Sequence, residues 1–99
     1  MPLEGITEDL RRRRLTLLYE LYRRNKQGND GGLQNAAMAL GREPGTLDFE
    51  FDKARLIEEG AIERVDMPPG YVPEPELYKV TAKGENMLGE AGYELLNDN

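Results

Sequence analysis

The chain is expected to fold as a mainly α-helical domain with a small β-hairpin placed just before its last helix. Three features predict this. A short helical pair reads over Gly32–Gly41 and Thr46–Glu59. The strand-like run Ala61-Ile62-Glu63-Arg64-Val65 follows directly on Gly60. Leu77-Tyr78-Lys79-Val80 then returns as a second strand, and Thr81-Ala82-Lys83-Gly84 opens the final helix. With 99 residues the chain has enough surface to bury for one core, so residues 1–99 are read as one domain.

Each element has a local reason. Thr7 is suited to an N-cap, with Glu8 and Asp9 in the first turn where carboxylates meet the positive end of the helix dipole. Leu10, Leu17, Leu18, Leu21 and Tyr22 recur at helical spacing, and Arg23, Arg24 and Lys26 suit a C-terminal turn. The first helix is therefore expected from about Thr7 to Asn25, after an N-terminal arm of residues 1–6. Leu15 and Tyr19 widen its stripe, which predicts neighbours on more than one side.

Residues 27–32, Gln-Gly-Asn-Asp-Gly-Gly, form a turn-rich link whose two final glycines either present backbone N–H groups to a phosphate or simply bend the chain. Leu33, Ala36, Ala37 and Leu40 follow at helical spacing, with Gly41 placed as a C-cap glycine. Thr46 can cap the third helix, which ends at Gly60. Its apolar residues fall into two sets: Leu47, Phe51 and Ala54 in one row, Phe49 and Leu56 in another. Such a helix has two apolar neighbours or one exposed apolar face.

Between the strands, residues 66–76 hold four of the six prolines and no basic residue, predicting an extended loop outside regular sheet. In the last helix Met87, Leu88, Ala91, Leu95 and Leu96 share a face, and residues 97–99 are expected to fray. Leu88, Ala91 and Leu95 have a spacing that suits either a dimer seam or packing on the first helix.

Composition narrows the chemistry. Histidine, cysteine and serine are absent, so a Ser or Cys nucleophile with a histidine base cannot be assembled, nor can a thiolate metal site. No enzyme activity, cofactor or metal is expected. Asp48 and Asp52 share a helical face at i, i+4, but no second segment supplies further ligands. A solvated edge beside core phenylalanines is expected there instead of a divalent-cation site. No apolar run approaches a membrane span, and Met1–Gly5 lacks the segments of a secretory leader, so a cytoplasmic location is expected.

The net charge of -6 is unevenly divided. Up to Arg42 the chain has eight Lys/Arg against five acids, a net +3; beyond it there are five against fourteen, a net -9. Attraction to phosphate must come mainly from the first half. The run Arg11–Arg14 either forms a nucleic-acid patch or, because successive helical residues point about 100° apart, a solvated face with at least one arginine flanking the apolar stripe.

The passage Leu33–Leu40, Gly41, Thr46–Glu59, Gly60-Ala61-Ile62-Glu63-Arg64 resembles the helix-turn-helix of winged-helix transcription regulators. Tyr78-Lys79-Val80-Thr81-Ala82-Lys83-Gly84 resembles their second wing strand and the Thr-x-x-Gly turn into the last helix, as in PadR-like and MarR-like repressors. The likeness covers most of residues 10–96. It implies a winged helix-turn-helix, three helices, a strand, a wing at residues 66–76, a strand and a fourth helix. It also implies a DNA-binding transcriptional regulator acting as a homodimer through its terminal helices and occluding a promoter.

Under that resemblance Arg42, Thr46, Lys53 and Arg55 would contact double-stranded DNA, while Lys26, Asn29, Gln34 and Asn35 would position phosphates. The family usually places Ser, Thr, Arg, Asn or Gln at the exposed start of its third helix; this chain has Asp48, Glu50 and Asp52 there. Its wing carries Asp66, Glu74 and Glu76 in place of Lys or Arg. The alternative expectation is an acidic winged-helix interaction module that binds no DNA, and instead docks a basic protein partner or mimics nucleic acid.

Overall fold

The computed structural model describes residues 2–27, 32–65 and 77–96. Among them lie α1 (Pro2–Lys26), α2 (Leu33–Ala39), α3 (Leu47–Glu58), β1 (Ile62–Arg64), β2 (Tyr78–Val80) and α4 (Ala82–Leu96). The molecule is mainly helical, with one two-stranded antiparallel hairpin in which Ile62 faces Val80, Glu63 faces Lys79 and Arg64 faces Tyr78. None of the described helices is long and apolar enough to cross a membrane.

The start of α1 corrects the expected boundary. The helix begins at Pro2, so residues 2–6 are helical and do not form an arm, and Thr7 lies within the helix instead of capping it. Proline is well placed in a first turn because its missing N–H has no helical partner there. Leu15, Leu17, Leu18 and Leu21 are buried, and α1 packs against α2, α3, α4 and β2. The expected multi-sided cover is present, although Tyr19 faces solvent.

Both short helices end in the same way. Gly41 and Gly60 take positive φ, 75° and 72°, which glycine adopts without the Cβ clash other residues suffer. The Gly41 N–H then donates to the Met38 carbonyl (2.9 Å) and the Arg42 N–H to that of Ala37 (2.9 Å). At the end of α3 the Gly60 N–H donates to Ile57 (3.0 Å) and the Ala61 N–H to Leu56 (2.9 Å). This paired closure satisfies carbonyls that a helix end leaves open. It also turns Ala61 and Ile62 straight into the core, where both are buried beside Leu56.

The Thr-x-x-Gly turn has a matching physical cause. Thr81 Oγ1 accepts the Gly84 N–H (3.0 Å), capping α4, and donates to the Gly60 carbonyl; the Thr81 N–H donates to Ala61 (2.9 Å). A Cβ on Gly84 would collide with the Ala61 carbonyl and lie 2.8 Å from Val80 Cγ1. One residue therefore ties the end of α3, the hairpin and the start of α4 together. On the other side Val80 N–H donates to Asn25 Oδ1 (3.0 Å), fastening β2 to the end of α1. Gly32 is buried and bridges Leu77, so it packs within the fold and is not open to a phosphate.

Leu88 is buried in the chain's own core, with Met87 half-buried beside it. Of the two readings of that face, packing within the chain accounts for Leu88, since α4 lies against α1. The side chains of Ala91 and Leu95, together with Asn29, the loop at 66–76 and the tail at 97–99, fall outside the described residues.

Candidate functional site

The seam between α1 and α3 takes up two of the four consecutive arginines. Arg13 donates from Nε to Asp52 Oδ2 (2.8 Å) and from Nη2 to Asp52 Oδ1 (3.0 Å), and its Nη1 lies 3.4 Å from Asp48 Oδ1. Arg14 makes the same two-pronged contact with Glu59, at 2.8 and 3.1 Å. Planar guanidinium against carboxylate gives two parallel, charge-assisted bonds, and both pairs are largely screened from water. Hydrogen bonding to Asp52 raises the Arg13 pKa above the ordinary arginine value, against the opposing effect of burial. Arg11 lies 3.9 Å from Glu8, and both Arg11 and Arg12 are engaged in further interactions. Arg13 and Arg14 thus connect α1 to α3, whereas Arg12 is exposed and Arg11 partly so, as a largely solvated face flanking the apolar stripe would have it.

This seam corrects the reading of the third helix. Asp52, expected on an exposed face, is 1% exposed, because position 52 falls on the side of α3 that Arg13 covers. Asp48 and Asp52 converge on that arginine, and no described group of acids is arranged to hold a metal ion.

The residues expected at DNA are placed as follows. Arg42 is half-buried in the turn before α3 and donates from Nη1 to the Arg13 carbonyl (2.9 Å); its burial lowers its pKa, with Asp52 pulling the other way. Thr46 caps α3 as expected, its Oγ1 accepting the Phe49 N–H (3.2 Å) and donating to the Glu43 carbonyl (3.0 Å). Lys53 is mostly covered, 3.2 Å from Glu50 and 6.0 Å from the centre of the Phe49 ring. Arg55 lies 3.5 Å from Glu58. Lys26 sits over the Tyr22 ring (5.4 Å) and 3.9 Å from Glu85. Gln34 and Asn35 are exposed on α2. The structure brings Arg42 and Thr46 together at the head of α3, and there they hold the turn in place.

What sequence reasoning left undecided is the outer face of α3. Leu47 is 89% exposed, Phe51 and Ile57 are each 46% exposed, and Ala54 is exposed as well. Around them stand the exposed acids Asp48, Glu50 and Glu58. The signal that could have found this face was the split of apolar residues into two rows, because Phe49 and Leu56 alone suffice for the inward side. Beside Phe51, Leu10, Arg11, Arg14 and Arg55 enclose an open hollow of about 290 Å³ between α1 and α3. A second hollow of about 270 Å³ lies between Leu17, Phe49, Arg13 and Arg42, and its carboxylates include those held by Arg13.

No protein-family model, curated protein or solved structure matches this chain.

Proposed function

We propose that the chain is a winged-helix module that docks a protein partner through α3 and does not read DNA with it. The order of elements, the turn at residues 42–46 between α2 and α3, and the hairpin between α3 and α4 support the winged-helix reading. The outer face of α3 carries the functional part. Where a DNA reader needs donors and cations, this face presents Leu47, Phe51 and Ala54 with Asp48, Glu50 and Glu58, while Lys53 and Arg55 already lie against acids of their own helix. An exposed apolar row rimmed by charge is what a protein contact uses, and a phosphate backbone would be repelled by it.

Double-stranded DNA remains the second reading, favoured by the exposed Gln34 and Asn35 and by the weakness of surface i, i+3 ion pairs, from which Arg55 is readily released. It would have the chain bind as a homodimer and regulate transcription. Fluorescence anisotropy with a random duplex of about 30 base pairs separates the two, since non-specific affinity needs no operator. The docking reading expects no binding even at low salt. Binding that falls steeply with salt, and is abolished by Lys53→Glu with Arg55→Glu, would establish DNA readout instead.

A further inference from the structure

We infer that the surface of α3 is built for a basic amphipathic helix from another protein; this rests on the docking reading above. Leu47, Phe51 and Ala54 recur at i, i+4 and i+7, making an apolar ridge about 10 Å long on the outside of a capped helix. Phe51 and Leu10 also wall a hollow closed by the stems of Arg11, Arg14 and Arg55, which offers a seat for one bulky apolar side chain beside the ridge, so the partner's cations must lie on the other flank, towards Glu50. This is the spacing and shape that a partner helix meets with its own anchors at i, i+3/4 and i+7.

Charge selects the flanks of that partner. Asp48, Glu50 and Glu58 are exposed around the ridge, their side chains more so than those of the cations beside them, Lys53 and Arg55. The cations nearest to Glu50 and Glu58 are held at 3.2 and 3.5 Å in i, i+3 contacts, which are weak enough for an incoming lysine or arginine to share the acid. An acidic partner would find the same carboxylates repulsive. The arginine run of a second copy is poorly placed to supply the cations, because its Arg13 and Arg14 are committed to Asp52 and Glu59 and its Arg11 lies against Glu8. The ridge is short compared with a standard interface of about 800 Å² per partner, so the contact is a weak and reversible one.

The test uses three fluorescein-labelled peptides of about 18 residues, five helical turns each. One carries Leu on one face and Lys on the other; the second has the same composition scrambled so that no face is apolar; the third replaces Lys by Glu. The full chain should bind the first at least about tenfold more tightly than either control, a difference of about 1.4 kcal/mol, with affinity falling as salt rises. Leu47→Ser with Phe51→Ser should weaken that binding about tenfold or more, with a thermal melt that stays cooperative and well above the assay temperature showing that the fold is intact. Equal binding of the scrambled or Glu peptide, or unchanged binding by the double variant, overturns the inference. So does sedimentation showing a dimer that the double variant converts to monomer, since the occupant is then a second copy. Duplex DNA binding would remove the docking reading itself, whereas no DNA binding together with no peptide discrimination removes only the basic-helix inference.

Discussion

The two faces of α3 invert the usual rule of burial. Asp52 is 1% exposed and Leu47, five residues earlier in the same helix, is 89% exposed. Position 52 falls opposite Arg13 of α1, whose guanidinium meets both carboxylate oxygens, so the charge is compensated where water is excluded. Position 47 falls on the first turn away from α1, where none of the described elements covers it. What lies across from a residue decides its burial more than its own polarity does. The same contrast separates a face that builds the fold from one free to act outside it.

The inward face should respond most strongly to substitution. Leu56→Ala, at a fully buried position, is expected to cost about 3–5 kcal/mol by urea denaturation, because transfer energy and an unfilled cavity add. A loss near that of a surface leucine would mean that α3 packs less firmly than its burial shows. Arg13→Ala should cost about 3 kcal/mol, leaving Asp52 buried without its main partner. The double change Arg13→Met with Asp52→Leu should recover most of that loss, since an apolar pair removes the need to desolvate two charges. If the double variant is as unstable as the single one, the pair contributes by shape and not by charge.

The same pair has a defined alkaline behaviour. The Arg13 pKa is raised on folding, so its contribution is fully present below the unfolded value and is lost only as pH rises through the folded one. Melting temperatures of the wild type and of Arg13→Ala measured up to about pH 10 should therefore keep a constant difference, because arginine stays protonated throughout that range. A gap that closes in mildly alkaline solution would sink this assignment.

At the head of the helix, Thr46→Ala removes the acceptor for the Phe49 N–H and should cost about 1 kcal/mol. It tests whether the cap serves α3 as a whole, and calorimetry would show an unchanged midpoint if it does not. The outward face should be the least sensitive. Leu47→Ser should shift stability by no more than about 0.5 kcal/mol, since its side chain stays largely in water, and Phe51→Ser, at a side chain about half covered, by about 1 kcal/mol. A larger loss for Phe51 would show that its covered side supports the fold as well as walling the hollow it shares with Leu10.

Much of the fold was legible along the chain, for local reasons. Gly41 and Gly60 mark helix ends because only glycine takes their positive φ without strain, and Thr46 and Thr81 mark helix starts because their hydroxyls accept an N–H three residues on. The start of α1 was misplaced for a local reason too: Thr7 has the chemistry of a cap, but a helix already running from Pro2 has no need of one there. The candidate site was less legible. Asp48, Glu50 and Asp52 look equivalent in sequence, yet one is buried, and two of the four arginines that suggest phosphate binding, Arg13 and Arg14, are held by carboxylates far along the chain.

By itself, the sequence determined the order and approximate bounds of the helices and strands, the absence of Ser/Cys–His chemistry, and the division of charge between the two halves. These follow from periodicity, capping and composition, which act within a few residues. Only the tertiary structure decided which charges are used up inside the molecule and which apolar row of α3 faces out. Both depend on pairing residues 39 and 45 positions apart, Arg13 with Asp52 and Arg14 with Glu59, and on the angle at which α1 crosses α3. Contacts between distant segments leave no local mark in the chain, because each partner alone is compatible with either face.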